Sequence, residues 1–322
     1  MIKPLILFLI AASCALPAFS QQKYFEGTIV YHSSVQSKLP NLNEDDFRKV
    51  MAEGEVLTVL CKNGNYRRTS RYSDEITLSR DKKSYVKFPR LDTLYYLDFP
   101  PDTATGVTIL KTDSIFKVNN FDCKAITLRT PTSSWRYYYT ASFQNDLSLA
   151  KDYTLGNFNI YSRETGGSLY LWLRSDYSIG TLTDSCVSIE KKAIDDHSFD
   201  LPALPLKKLD FASMQSGPRF PGKEGAWLKY LQTNLNSQLG IKYIKLAKDQ
   251  QRASVTVQLE FAVAKDGSIS NIQVINKKDV HPRLAEEAVR VIQESPRWLP
   301  AQTYGQALNG SVRQPITFSV ER

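Results

Sequence analysis

Val255-Thr256-Val257-Gln258-Leu259-Glu260-Phe261-Ala262-Val263-Ala264-Lys265-Asp266-Gly267-Ser268-Ile269 is the stretch that decides how the C-terminal part of this chain folds. Val255, Val257, Leu259, Phe261 and Val263 alternate with smaller or polar residues, the period of a strand with one face in a core. Asp266-Gly267 supplies the backbone freedom of a two-residue turn, and Ile269 to Ile275 returns as a second strand.

Working outward, Glu224 to Leu235 places Trp227, Leu228, Leu231 and Leu235 on one face of an amphipathic helix. Pro282 opens a second helix with Leu284, Ala288, Val291 and Ile292 as its apolar stripe, and Ser295-Pro296 ends it. Glu286 and Glu287 read as a solvated face near the start of that helix, and His281 as the residue that leads into it. Val312 to Val320 is a last strand. The order α-β-β-α-β predicts an α+β layer with the helices on one face of a small antiparallel sheet. A sheet of three strands leaves edges, and Pro315, which lacks a backbone donor, suits the last strand to an edge.

The region before this reads differently. Phe25 to Tyr31, Val56 to Lys62, Ser84 to Phe88, Thr93 to Leu97, Cys123 to Leu128, Arg136 to Thr140, Ser168 to Arg174 and Cys186 to Lys191 are predicted strands, separated by turn residues. Fourteen of the seventeen tyrosines fall within residues 21–200, the enrichment of a β-rich domain. One helix is predicted over Glu44 to Ala52. From Asp195 the periodicity fades, with Pro202 and Pro205 in the segment. The expected organisation is a signal peptide over 1–20, a β-rich domain over 21–200 built on a curved antiparallel sheet, a linker over 201–216, and an α+β domain over 217–322.

The signal peptide is read from Lys3, the apolar run from Pro4, and the small residues up to Ala18-Phe19-Ser20, which place the mature start at Gln21. That run is shorter than the ~20 residues of a membrane-spanning helix. Acylation at Cys14 is the alternative. The net charge is +8, and residues 217–322 hold 15 Lys and Arg against 9 Asp and Glu, so the basicity belongs to the C-terminal part. Export removes nucleic acid as a partner and leaves anionic envelope polymers or acidic protein segments. Cys61, Cys123 and Cys186 allow one bridge in an oxidising compartment, with Cys123–Cys186 the preferred pair and three buried thiols the alternative.

The sequence carries no catalytic constellation. His32, His197 and His281 are scattered, and there is no metal-spaced His or Cys pair, no Gly-x-Ser-x-Gly elbow and no phosphate-cradling glycine loop. Gly166-Gly167 reads as a turn. In Trp135-Arg136-Tyr137-Tyr138-Tyr139, alternation sends Trp135, Tyr137 and Tyr139 to one face and Arg136 and Tyr138 to the other, leaving at most one face free to stack on a ligand. No enzyme activity, metal or cofactor is expected.

Phe220-Pro221-Gly222 with Trp227-Leu228-x-x-Leu231, the hairpin Val257 to Ile269, Leu284-x-Glu286-Glu287-Ala288-x-Arg290-Val291, Ser295-Pro296-Arg297-Trp298-x-Pro300, Gly305 and Pro315-Ile316-Thr317-Phe318 together resemble the TonB C-terminal domain family over about 100 residues. The stretch Leu239 to Arg252 lacks the usual Tyr-Pro-x-x-Ala turn and the glycine directly before the first strand. More faintly, Phe25-Glu26-Gly27-Thr28-Ile29-x-Tyr31, Asn119 to Lys124, and Ile194 to Pro202 resemble Bacteroidota envelope families of the GLPGLI type, related to the LolA-like half-barrel.

The first resemblance implies a non-catalytic module that pairs a partner's strand with its own sheet edge. The partner would be an envelope protein or peptide such as a TonB-dependent receptor, or a second copy of the domain. The docking residues would be Val312, Arg313, Gln314, Ile316, Thr317, Phe318 and Val320, with Arg313 favouring acidic partners. The second resemblance implies an alternative, a periplasmic carrier of an apolar ligand or lipid, or a lipoprotein-handling protein, acting through the half-barrel. A third reading is TonB-like energy transduction for transmembrane transport, which needs an extended spacer that this sequence replaces with a folded domain. The expected location, after signal peptide cleavage, is the periplasm of a Gram-negative cell or association with its outer membrane.

Overall fold

A computed structural model describes residues 24–39, 42–100, 106–147 and 152–322. The expected signal peptide, Gln21 and Cys14 lie outside them.

The N-terminal part is one large sheet. Its strands are β1 (Gly27–Ser37), β2 (Val56–Lys62), β3 (Asn65–Thr69), β4 (Asp74–Leu78), β5 (Lys83–Lys87), β6 (Leu94–Asp98), β7 (Thr108–Val118), β8 (Phe121–Arg129), β9 (Ser134–Gln144), β10 (Ser168–Asp176), β11 (Gly180–Lys191) and β12 (Leu206–Lys208). They lie in the order β12-β6-β5-β4-β3-β2-β1-β11-β10-β9-β8-β7. All neighbours but β12 and β6 are antiparallel, and most are hairpin partners because short turns such as Asn63-Gly64 and Asn119-Asn120, all with positive φ, return the chain at once. The sheet curves strongly: the Asn119 side-chain amide, at the β7–β8 turn, reaches the Cys186 carbonyl on β11 across two intervening strands.

Among the described residues, two helices cover this sheet. In α1 (Glu44–Met51), Asn43 caps the N-terminus by accepting from Asp46 N–H at 2.9 Å, and Phe47 is fully buried. The second, α2 (Phe158–Thr165), buries Ile160 and Tyr161 against Ile126, Leu128 and Tyr137. Sequence periodicity did not single out α2, β3, β4 or β7. The aromatic run of β9 is spent on packing from both faces: Tyr137 stacks on Tyr161 at 4.2 Å, and Tyr138 sits edge-on to Phe116 and Trp172 at 4.8 and 4.9 Å. Gly166 and Gly167 form the left-handed turn between α2 and β10.

The segment read as a linker is structured. Leu206–Lys208 joins the large sheet parallel to β6, and β13 (Gln215–Ser216) pairs with a strand of the C-terminal part. The unpatterned sequence hides this because strands of two and three residues are too short to show a period.

The C-terminal part contains α3 (Ala226–Asn234), α4 (Gln238–Tyr243), β14 (Arg252–Val263), β15 (Ile269–Val274), α5 (Pro282–Gln293), the short hairpin β16 (Ala301–Thr303) and β17 (Gln306–Leu308), and β18 (Gly310–Glu321). The three long strands lie in the order β15-β14-β18. The expected α-β-β-α-β order is present with two additions, α4 and the β16–β17 hairpin. Val257, Leu259, Phe261 and Val263 from β14 meet Leu284, Ala288, Val291 and Ile292 from α5 and Ile316 and Phe318 from β18 in one core. Each large aliphatic or aromatic side chain buried there contributes roughly 1.5–3 kcal/mol relative to an exposed position.

Local details explain the sequence features. Gly267 has φ +82°, and a Cβ there would lie 2.2 Å from the Trp298 carbonyl, so the turn demands glycine. Trp298 N–H donates to the Gly267 carbonyl, and the Trp298 ring is wedged against Phe220, Trp227 and Phe261. His281 caps α5, its Nδ1 accepting from Arg283 N–H. Two expectations are corrected. Leu228 is exposed, because α3 turns only Trp227, Tyr230 and Leu231 to the core. Glu287 is buried rather than solvated, accepting from Asn236 N–H at 2.8 Å and from Arg290. Hydrogen bonds from Arg290, outweighing burial, hold its carboxyl below the usual range.

Candidate functional site

The hydrogen bonds of β14 reveal which backbone groups of β18 are free. Gln258 N–H donates to the Asn276 side-chain carbonyl at 2.9 Å, Ile275 N–H to the Gln258 carbonyl at 2.8 Å, and the Asn276 side-chain amide to the Thr256 carbonyl at 2.9 Å. Even-numbered residues of β14 therefore face β15, and odd-numbered ones face β18. The register pairs Val255 with Phe318, Val257 with Ile316 and Leu259 with Gln314. It follows that even-numbered residues of β18 bond to β14, while Ser311, Arg313, Pro315, Thr317 and Ser319 direct their backbone groups outward.

Pro315 falls on this outward row, where its missing donor costs β14 nothing. No strand among the described residues pairs with β18 on that side. The helix α4 crosses near one end: a Cβ on Gly240 would lie 3.3 Å from the Ser319 carbonyl. The open edge is thus Ser311 to Thr317.

This placement narrows the docking residues read from the sequence. Ile316, Phe318 and Val320 are buried in the core, and Val312 and Gln314 are partly buried on the same face. All five give their backbone to β14. Thr317 and Arg313 lie on the outward row, but the Arg313 guanidinium is paired with Glu260 at 2.8 Å, directly across the sheet. Its charge is therefore committed within the domain, which weakens the expected preference for acidic partners. Ser311 and Pro315, outside that set, belong to the open edge, whereas Ser319 lies under α4; the position of Pro315 together with strict alternation was the signal that could have found them.

The opposite edge is less regular. Asn271, with φ +53°, bulges β15 away from β14, and a groove of about 300 Å³ lies between β15 and the end of α5, lined by Ile269, Asn271, Gln293 and Arg297 among others. Bulges blunt an edge against pairing.

A second constellation joins the two parts. Tyr304, at the tip of the β16–β17 hairpin, stacks on Phe88 at 4.3 Å with the rings 9° from parallel, inside a cluster with Val86, Tyr95 and Leu209. Asp46 of α1 accepts from Lys265 at 2.8 Å, from Lys49 at 3.0 Å and from Asn309 N–H at 3.2 Å. Burial pushes the Asp46 carboxyl up, but these hydrogen bonds together hold it below its ordinary range. Asp45, bonded to Lys49, Lys265 and Tyr72, is likewise held low.

No group of three or more His, Cys, Asp or Glu able to hold a metal occurs among the described residues. No helix among them is long and apolar enough to cross a membrane. Cys123 and Cys186 stand as free thiols, buried with Cys61 in one apolar cluster.

Residues 241–320 match the family model described as Gram-negative bacterial TonB protein C-terminal. The match supports a TonB-type C-terminal domain over the stretch from α4 to β18 and leaves α3 and the large curved sheet outside it. No curated protein matches the chain. Among solved structures, PNGF-II in its P21 and C2 crystal forms aligns with 73% of this chain and with 43% and 42% of its own length, at 10% identity and TM-scores of 0.35 and 0.36. The chain thus spans less than half the length of those structures. The Caulobacter crescentus pol III beta aligns with 92% of this chain and 80% of its own, at 9% identity and a TM-score of 0.11. Likenesses this distant have no bearing on function.

Proposed function

We propose that this chain is an exported protein of the Gram-negative envelope that works without catalysis, by pairing an extended peptide segment of another envelope protein with the outer edge of β18. The observation that carries this reading is the outward row Ser311, Arg313, Pro315 and Thr317. The backbone groups of Ser311, Arg313 and Thr317 point to a side where no described strand pairs with them, which is what β-augmentation requires, while the Pro315 carbonyl accepts from the Gln314 side-chain amide. The TonB-type domain supports the same reading, since its family is one of protein interaction. The contacts of Tyr304 with the large sheet and of Lys265 with α1 would hold the edge in a fixed orientation, lowering the ordering cost of docking.

Thr317→Pro tests the proposal. It deletes an outward N–H and spares the ladder to β14, although it also removes the 2.9 Å contact between the Thr317 and Thr256 hydroxyls. Thr317→Val keeps the N–H and removes only that contact. Binding of synthetic peptides from periplasm-facing segments of outer-membrane receptors should weaken about tenfold or more in Thr317→Pro and persist in Thr317→Val, with both variants retaining the wild-type circular dichroism. Unchanged peptide affinity in Thr317→Pro would remove β18 as the docking edge.

The curved sheet favours a second reading, a LolA-like half-barrel that shelters an apolar ligand. Extraction of lipid with the protein purified from native envelopes would support it, and its absence would leave the interaction reading alone.

A further inference from the structure

A cavity of about 80 Å³ lies between β1, β2, β3, β4, β10 and α2. Most of its wall is apolar, with Ile29, Val59, Leu169 and Phe158 beside the rings of Tyr31 and Tyr170. Its polar wall residues include Thr77, Asn145 and Tyr153, and two more, Tyr66 and Arg68, differ from these in having an atom without a partner. Tyr66 and Arg68, two apart on β3 and so on one face, each bring a buried polar atom with no partner: the Tyr66 hydroxyl and the Arg68 Nε.

The Arg68 guanidinium is held from behind rather than saturated. Its Nη2 lies 3.5 Å from Glu53 and its Nη1 3.7 Å from Glu75, both longer than the ~2.7–2.9 Å of a strong charge-assisted bond. An unmade hydrogen bond from a buried donor costs roughly 1–3 kcal/mol, and more for a charged one. Arginine can only donate, and a tyrosine hydroxyl donates readily. The group that completes both is an acceptor oxygen, and a charged guanidinium favours an anionic one.

We propose that this cavity binds a small monocarboxylate. The carboxylate accepts from Arg68 Nε and Tyr66 Oη, and a short aliphatic or aromatic body lies against Ile29, Val59, Leu169 and Tyr170. The volume limits the body: it has room for about half a dozen water-sized groups, and it falls well under the ~300–1,000 Å³ of sites for drug-sized ligands. A long acyl chain does not fit the cavity as it stands. The inference is independent of the docking edge on β18.

The test uses the full mature chain, methyl-labelled at Ile, Leu and Val and titrated by NMR with isobutyrate and benzoate. Benzyl alcohol, which has a similar body without the charge, and palmitate serve as comparisons. The expected result is saturable shifts confined to the methyls of Ile29, Val59 and Leu169, with a Kd on the order of millimolar or tighter and about tenfold weaker binding of benzyl alcohol. Tyr66→Phe should weaken benzoate by about fivefold or more while leaving the melting temperature in place, because it removes a hydroxyl that has no partner. Arg68→Met should abolish binding, but it also removes the Glu75 counter-ion and the Arg68 contact with Glu53, so Tyr66→Phe is the variant that decides. The proposal is overturned by unsaturable shifts with both carboxylates, by equal affinity for benzyl alcohol, by unchanged affinity in Tyr66→Phe, or by palmitate alone perturbing these methyls. A cavity holding only water would give the first of these.

Discussion

Lys265, on the turn of the C-terminal hairpin, lies 2.8 Å from Asp46, a carboxylate with 0% side-chain exposure on the helix that covers the N-terminal sheet. A buried carboxylate without counter-charge is costly, so the N-terminal part depends on the C-terminal part to satisfy it. Lys265→Met should therefore destabilise the chain by about 1–3 kcal/mol in urea at neutral pH, the residual bonds from Lys49 and Asn309 N–H limiting the loss. The Asp46 carboxyl is held below its unfolded value of 3.8, so the stability it contributes is present above that pH and lost as pH falls through the folded value. The gap between wild type and Lys265→Met should close below about pH 3.8. A gap that stays constant with pH would show that the ion pair is not its source.

Tyr304 and Phe88 form the apolar half of the same junction. Tyr304→Ala should cost about 2–4 kcal/mol, measured by thermal unfolding. We also propose that the domain boundary lies near Gly217. A fragment from Ser216 to Arg322 has its own core around Phe261, Val291 and Ile316, and it should fold alone with a cooperative transition. In the fragment, Tyr304→Ala should have little effect, because Phe88 is absent. An equal loss in fragment and full chain would mean that Tyr304 acts within the C-terminal domain instead.

Glu53 introduces a pH dependence of opposite sign. Burial pushes its carboxyl up to about 8, Arg68 only partly offsetting the desolvation. Between the unfolded value of 4.5 and about 8 the folded chain holds a proton that the unfolded chain has lost. Stability from this group is thus complete below pH 4.5 and declines until pH passes about 8. Glu53→Gln should flatten the decline and be the more stable form above pH 8. Parallel stability profiles for the two proteins from pH 5 to 9 would contradict the assignment.

The three thiols should be silent in the native chain. Burial pushes Cys61 up to about 12 and Cys186 to about 11, so little thiolate exists at neutral pH. Alkylation of a chain starting at Gln21 should label none of them before unfolding and all three after it. A chain recovered from an oxidising compartment that labels at Cys61 alone after unfolding would establish the Cys123–Cys186 bridge instead.

The sequence by itself determined the C-terminal layer. Val257, Leu259, Phe261 and Val263 alternate, Leu284, Ala288, Val291 and Ile292 recur at helical spacing, and Asp266-Gly267 marks the turn between strands. Each of these is local, because a repeat of two or of 3.6 residues is fixed by the backbone within a few residues. Pro315 likewise marked the edge strand. The sequence did not reveal β7, which exposes Ile109, Leu110 and Ile115, the first two on opposite faces, and so lacks alternation. Only the tertiary structure decided which residues of β18 face outward, since that depends on the hydrogen-bond phase of β14. It also decided that Asp46 meets Lys265 across 219 positions of sequence, that Tyr304 reaches Phe88, and that Tyr66 and Arg68 face a cavity closed by β1, β10 and α2. Contacts of this kind arise from the curvature of one sheet and the docking of another, and no periodicity along the chain encodes them.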